Sequence, residues 1–191
     1  MNRITLIFII LLSAIFVQAQ STISEKKNMY YKKTLVPQGV EYVHNAPITA
    51  TESIVIDRSI EQVWTIIDDT PNFVNWFPGA ISAEFIDPNN IGLGSKRLAH
   101  AKNFKYYEDI ILYTPNHGWG FTVLESNSGA FSSMVELIRL EKIADNQTRV
   151  IYQGGYAPKG ILKIMKGVIS KNVKKAWLKG LHGLKEYAEN N

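Results

Sequence analysis

The stretch SIVIDRSIEQVWTIIDDTPNFVNWFPG, Ser53 to Gly79, decides how the rest of the chain is read. Ile54 to Ile56 is a β-branched run that reads as a strand ending at Asp57. Ser59 is followed three positions later by Gln62, a capping-box pattern in which hydroxyl and amide each satisfy a backbone N–H at a helix start. Ile60, Val63, Trp64 and Ile67 then recur at helical spacing and give one apolar face over about two turns. Thr70-Pro71 is a second start signal, with threonine as cap and proline at the first helical position. Phe73, Trp76 and Phe77 form the apolar side of that second short helix, and Pro78-Gly79 ends it.

Toward the C-terminus the pattern becomes strands separated by turn chemistry. Ile81 to Ile86 is closed by Asp87-Pro88-Asn89-Asn90. Lys96 to Ala101 and Lys105 to Tyr113 form a hairpin turning at Lys102-Asn103. Trp119 to Leu124, Phe131 to Ile143 and Thr148 to Tyr156 follow, separated by small, polar loops. Six antiparallel strands in succession, after one strand and two short helices, make a highly curved sheet. The remainder is helical: Ile161, Met165, Val168, Ile169, Val173, Trp177, Leu181 and Leu184 keep a three-to-four spacing, with lysines on the other side. About eight such side chains, at ~1.5–3 kcal/mol each when buried, suffice to dock a long helix across the sheet. Gly167 and Gly180 signal a break or a close approach to the sheet.

Toward the N-terminus the periodicity fades. Residues 20–47 read as an extension, partly disordered and ending in a short strand around Val40 to Val43. Arg3 precedes an apolar run from Ile4 to Val17, and Val17-Gln18-Ala19 offers small residues at a cleavage spacing. At about 1.5 Å per residue the run spans roughly 21 Å, short of the ~30 Å hydrocarbon core. Residues 1–19 are therefore expected to be a cleaved signal peptide, with an uncleaved anchor as the alternative, and the protein is expected to be secreted or periplasmic. With no cysteine in the chain, a lipoprotein anchor, disulfides, thiolate metal sites and thiol nucleophiles are all excluded.

At 191 residues, 46% of them hydrophobic, the chain holds one domain with a real core, assigned to residues 48–191. Net charge is +4, but from Lys159 onward eight lysines face two glutamates, while residues 20–158 carry −3. No nucleic-acid partner is expected from so modest a total. An anionic membrane surface, met through the lysine-rich C-terminal helix, is compatible with it. Oligomeric state is not legible.

The order of elements resembles the helix-grip fold, an α+β architecture with a curved antiparallel sheet of about seven strands, two short helices and a long C-terminal helix. At residue level the chain resembles the START-like superfamily, in its polyketide cyclase/dehydrase and lipid-transport branch. The matching residues are SIVIDRSIEQVWTIIDD and NFVNWFPG, then Gly92-Leu93-Gly94, Glu108 in YYEDI, NQTRVIYQGGYAP, and Leu181 to Lys185. The resemblance implies that the two short helices close one end of a half-barrel, plugged by Val63, Trp64, Trp76 and Phe77. It implies a binding or transport protein that holds a small hydrophobic ligand, a lipid, isoprenoid or polyketide-like compound, between sheet and terminal helix. It implies no invariant catalytic set.

The residues themselves add a candidate site. Arg97 falls opposite Glu108 or Asp109 across the hairpin, either as an exposed cross-strand ion pair or on the concave face, where Arg97 and Glu108 would anchor a polar group of a ligand. His100 and Tyr106 nearby would then polarise a carbonyl or move a proton, so a cyclase or dehydratase using His100, Tyr106 and Glu108 is the alternative function. Val150 and Tyr152 alternate inward, Met134, Glu136 and Ile138 share the neighbouring face, and Phe121, Tyr152 and Trp177 complete an aromatic wall. Gly154-Gly155 within a strand marks a bulge or a close approach. Asp68-Asp69 caps a helix junction. No catalytic residue is assigned outright. His44, His100, His117 and His182 show no metal-ligand spacing, and no cofactor is expected.

Overall fold

The computed structural model describes residues 33–191. The expected signal peptide and the first part of the N-terminal extension lie outside the described residues. Strand β1 is Lys33–Thr34, helix α1 Tyr42–Asn45 and strand β2 Ile48–Ile56. Helix α2, Ile60–Asp68, starts with the expected capping box: the Ser59 hydroxyl accepts from the Gln62 amide at 3.4 Å, and the Gln62 side chain accepts from the Ser59 amide at 3.1 Å. A 3-10 turn over Thr70–Asn72, with Pro71 in it, runs into helix α3, Phe73–Trp76. Six strands then follow: β3 Ala80–Phe85, β4 Lys96–Ala101, β5 Phe104–Thr114, β6 Gly118–Ser126, β7 Phe131–Ala144 and β8 Gln147–Pro158. A second 3-10 turn, Gly160–Ile164, leads into helix α4, Lys166–Asn190.

The strands form one antiparallel sheet in the order β2-β8-β7-β6-β5-β4-β3, with β1 added against β6. β2 and β3 occupy opposite edges, so the two short helices between them must cross the sheet from side to side. That is why they close its end. Val63, Trp64 and Trp76 are buried there, with Phe77 packed partly buried against the same core. Phe73 and Phe77 stack, and Trp76 meets both edge-on, with ring centroids 4.9–5.9 Å apart.

Helix α4 lies on the concave face, burying Trp177, Leu181, Leu184 and Ala188. Its last turns are tied to the β2–α2 junction. Lys185 donates to the Val55 carbonyl at 2.7 Å, and Glu189 accepts from the Asp57 amide at 2.8 Å. Gly180 and Gly183 bring the helix backbone against α3: a Cβ at 183 would run into the Trp76 carbonyl oxygen, and one at 180 would stand 2.5 Å from the Phe77 ring. Gly167 meets nothing, so the expected break, not a close approach, is what accompanies it: the long helix starts at Lys166, after a separate 3-10 turn.

Two expectations are corrected. Ile161, Met165 and Val168 do not belong to the docked face; all three are exposed, and burial begins only with the half-buried Ile169. None of the three lines the hollow that lies under the helix, which α4 first meets at Ile169, so no core side chain lies against them. Val40 to Val43 is not a strand. The Tyr42 amide donates to the Gly39 carbonyl and the Ala46 amide to the Tyr42 carbonyl, which winds this segment into a turn and α1. It sits on the convex face, where Val43 joins Val135 and Leu137 in a second small core bordered by Tyr42, Ile111 and Leu112. Gly155 permits this contact, because a Cβ there would strike the Tyr42 carbonyl.

Candidate ligand-binding site

Beneath the first half of α4 the core is hollow. A cavity of about 380 Å³ lies between α4, α3 and strands β4 to β8. Its wall is aromatic and aliphatic, including Phe73, Trp76, Trp119, Phe121, Ile138 and Trp177. It reaches the surface, because exposed Phe104, Asn172 and Ala176 are among the residues that line it.

Strand register explains its polar floor. Arg97 pairs directly with Glu108, and Ala99 with Tyr106, so these four side chains share one face of the β4–β5 hairpin. A bulge at Leu124 then sets Glu108 opposite Val123, and Phe121 lies opposite both Ile110 and Glu136. The face is concave. Arg97 and Glu108 side chains are 5% and 1% exposed, with the Arg97 Nε donating to Glu108 Oε2 at 2.7 Å. It is therefore not the exposed pair considered from sequence; the pair nearer to water is its neighbour, Lys96 with Asp109, half-buried and also at 2.7 Å. The guanidinium carbon of Arg97 stands 4.2 Å from the Trp119 ring centroid, 5.3 Å from that of Phe121 and 5.8 Å from that of Phe73. Three rings and one carboxylate thus hold the cation in place.

A second carboxylate faces the same cavity. Glu136 accepts from the Tyr156 hydroxyl at 2.6 Å and from the Tyr152 hydroxyl at 2.7 Å. Gly154, directly opposite Glu136, makes room for Trp177: a Cβ there would come within 2.6 Å of the indole. The register runs unbroken through Gly154-Gly155, so a close approach, not a bulge, accounts for the glycine pair. Trp177 in turn lies 4.5 Å, centroid to centroid, from Tyr152.

All eight residues proposed from sequence border this one cavity: Arg97, His100, Tyr106, Glu108, Phe121, Met134, Tyr152 and Trp177. His100, one position out of phase with Arg97 and Ala99 and paired with Lys105, is half-buried. Sequence reasoning passed over Trp119, Phe73 and Tyr156, and put Glu136 on the right face without its tyrosine partners. A signal for Trp119 was present in Gly118-Trp119-Gly120-Phe121, where glycines alternate with rings and force both rings to one side. Among the described residues, no group of three or more His, Asp or Glu side chains is placed to hold a metal ion.

The electrostatics are those of charge taken out of water. Burial pushes Glu108 up to about 7, with Arg97 restraining the rise. Burial also raises Glu136, opposed by the two tyrosine hydroxyls. Tyr106, Tyr152 and Tyr156 are pushed up by burial and by the neighbouring glutamates, so each stays a neutral hydroxyl. Desolvation lowers His100, helped by Lys105. The Glu108 Oε1 atom is buried and has no hydrogen-bond partner. An orphaned carboxylate oxygen in an apolar cavity is an acceptor awaiting a donor.

This has a sign for stability. Between about pH 4.5 and 7 the folded chain keeps a proton on Glu108 that the unfolded chain releases, because burial moves its pKa from 4.5 to about 7. The stabilisation is full below the lower value and is lost as pH rises through the upper one. The urea midpoint of the guest-free protein is therefore expected to fall between pH 5 and pH 7.5. Glu108→Gln should flatten that slope, leaving the part contributed by Glu136. A Glu108→Gln variant with an unchanged slope would contradict the assignment.

Comparison with known proteins agrees with this architecture. Residues 47–189 match the family model described as polyketide cyclase/dehydrase and lipid transport, and the chain belongs to that family. A search of curated sequences finds no match. Among solved structures, the Zhui aromatase/cyclase of a Streptomyces species superposes with TM-score 0.63 at 13% identity, over 74% of this chain and 93% of that one. A START superfamily protein from Mycobacterium smegmatis gives 0.61 at 12% identity, over 73% and 97%. XoxI from Bacillus cereus gives 0.61 at 16%, over 73% and 94%. Likeness at these identities establishes the fold, a helix-grip architecture.

Proposed function

We propose that this chain is an exported carrier that holds a small apolar molecule bearing a neutral hydrogen-bond donor, with the donor on Glu108. The observation that carries the reading is the cavity itself, greasy in its walls and with an unpartnered carboxylate oxygen at its floor. At ~24 cal/mol per Å³, a dry void of this size would cost on the order of 9 kcal/mol, comparable to the stability of a whole domain. Such a space is kept because something fills it. Two carboxylates against one guanidinium disfavour an acidic head group and favour an alcohol, phenol or N–H. Export is supported by Arg3 and the apolar run Ile4 to Val17.

The test is a titration with two fluorescent guests, read by energy transfer from Trp119 and Trp177. N-phenyl-1-naphthylamine offers an N–H and no charge; dansyl-undecanoic acid offers a carboxylate. The amine should bind at least about tenfold more tightly, and Glu108→Gln should weaken it by about tenfold, the worth of a hydrogen bond to a charged group. Ala99→Phe, which fills the cavity from β4, should abolish binding of both. Failure of every apolar probe to bind, with no molecule co-purifying by native mass spectrometry, would refute the carrier reading.

One observation favours a second reading, a cyclase or dehydratase acting on an enolisable ketone. Glu108 titrates near neutral pH beside a fixed cation and Tyr106, a pairing suited to moving a proton while Arg97 holds a developing enolate. Conversion of a linear poly-β-keto thioester to a cyclised, dehydrated product, lost in Glu108→Gln, would establish it.

A further inference from the structure

The face of α4 that sequence periodicity assigns to the core runs past the body of the protein. Ile161 is 70% exposed, Ile164 80% and Val168 53%, with Met165 exposed between them. Their spacing of three, one and three residues places them on one side of the 3-10 turn and the first helical turn. Gly160, at φ +53°, turns the chain out of β8 into this segment. A cluster of four bare apolar side chains within eight residues is unusual on a soluble surface and marks a contact.

Its position and its charge say with what. Ile169, the next residue after Val168, lines the cavity, and exposed Phe104 at the β4–β5 turn borders the same opening. The apolar strip is thus the lip of the cavity. Lys159, Lys163, Lys166 and Lys171 are exposed along it, and no acidic residue occurs between Lys159 and Lys185. Among the described residues, the one ion pair from this stretch that reaches another element is a long one, Lys174 to Glu52 at 3.8 Å. No helix among the described residues is long and apolar enough to cross a bilayer. An apolar strip ringed by unopposed lysines suits the interface of an anionic bilayer, where aliphatic groups enter the acyl boundary and ammonium groups stay at the phosphates.

We infer that the segment from Lys159 to Lys171 docks the mouth of the cavity onto an anionic lipid surface. This would let an apolar guest pass between bilayer and cavity without crossing water, and that purpose rests on the carrier reading above. The docking itself does not, and is measured without a guest.

The experiment is co-sedimentation of the full chain with vesicles of phosphatidylcholine alone or with one quarter phosphatidylglycerol. Binding to the anionic vesicles should be at least tenfold stronger and should weaken in 0.5 M salt. Ile164→Asp should lower it at least tenfold. Lys163→Gln and Lys166→Gln should each lower it about fivefold. All three variants should bind N-phenyl-1-naphthylamine as the parent does, since none of these residues lines the cavity. Vesicle binding that survives Ile164→Asp and both lysine variants would assign the affinity to other residues, such as Ile4 to Val17, and overturn the inference. So would absence of binding to anionic vesicles. A dimer that Ile164→Asp converts to monomer, with vesicle binding unchanged, would give the strip to a second copy of the chain and overturn it equally.

Discussion

Arg97→Met is expected to destabilise the protein by about 3 kcal/mol at pH 7.5, because it strips the counter-charge from a carboxylate buried in an apolar wall. Methionine fills much of the volume beneath the Trp119 ring, so packing loss is the smaller part. Without Arg97 the Glu108 pKa rises further, since the guanidinium is what restrains it. The deficit should therefore shrink toward pH 5, where Glu108 is protonated with or without its partner. Arg97→Met combined with Glu108→Leu should regain most of the loss, because an apolar pair needs no desolvation of charge. Lys96→Met, one residue away in the half-buried pair with Asp109 that water still reaches, should cost only about 1 kcal/mol. Urea denaturation followed by tryptophan fluorescence measures all of these. A loss in Arg97→Met no larger than in Lys96→Met would mean that the pair is solvated.

The same substitution at two glycines of one helix should act in opposite directions. Gly→Ala in a helix ordinarily gains up to about 1 kcal/mol, by restricting the unfolded chain and improving propensity. Gly167→Ala meets open space and should show a gain of this kind, reduced by its place in the first turn. Gly183→Ala pushes a methyl group into the Trp76 carbonyl, a backbone atom that cannot swing aside. Overpacking of this kind costs ~1–3 kcal/mol, and lifting α4 from α3 also loosens the plug formed by Trp76 and Phe77. Thermal unfolding should thus rise by a degree or two for Gly167→Ala and fall by roughly 3–10 °C for Gly183→Ala, at ~2–4 °C per kcal/mol for a chain of this size. A Gly183→Ala protein as stable as the parent would show that the helix does not rest on the Trp76–Pro78 segment.

Most of this architecture can be traced to local chemistry. Turn signals such as Lys102-Asn103 and Pro115-Asn116-His117 lie between the observed strands, and the Ser59–Gln62 box starts α2 where it should. Period-two alternation places Met134, Glu136 and Ile138 of β7 and Val150 and Tyr152 of β8 on the same face, as the register shows. What local chemistry could not supply were relations across distance. Whether Arg97 faced water depended on the curvature of the sheet, and Leu98 and Ala99 are both buried, so hydrophobicity alone did not choose a side. The bond from Tyr156 to Glu136 spans 20 residues and needs the β7–β8 register to be known. Ile161, Met165 and Val168 carry the same periodicity as Trp177 and Leu181; spacing reports a helix's apolar side and not how far its support extends. Val40 to Val43 lacks enough residues for any period to speak.

The small apolar patch on the outer side of the sheet bears on where this protein can be cut. The family match begins at residue 47, yet Leu35 and Val43 upstream of that point are buried, one in the main core and the other against Val135 and Leu137. A chain trimmed to the family boundary would lose its cover over β7 and the β1 rung on β6. It would present bare aliphatic surface to its neighbours and tend to clump. Residues 33–46 behave as a strap across the back of the sheet, and any shortened version intended for crystallisation or binding work should keep them.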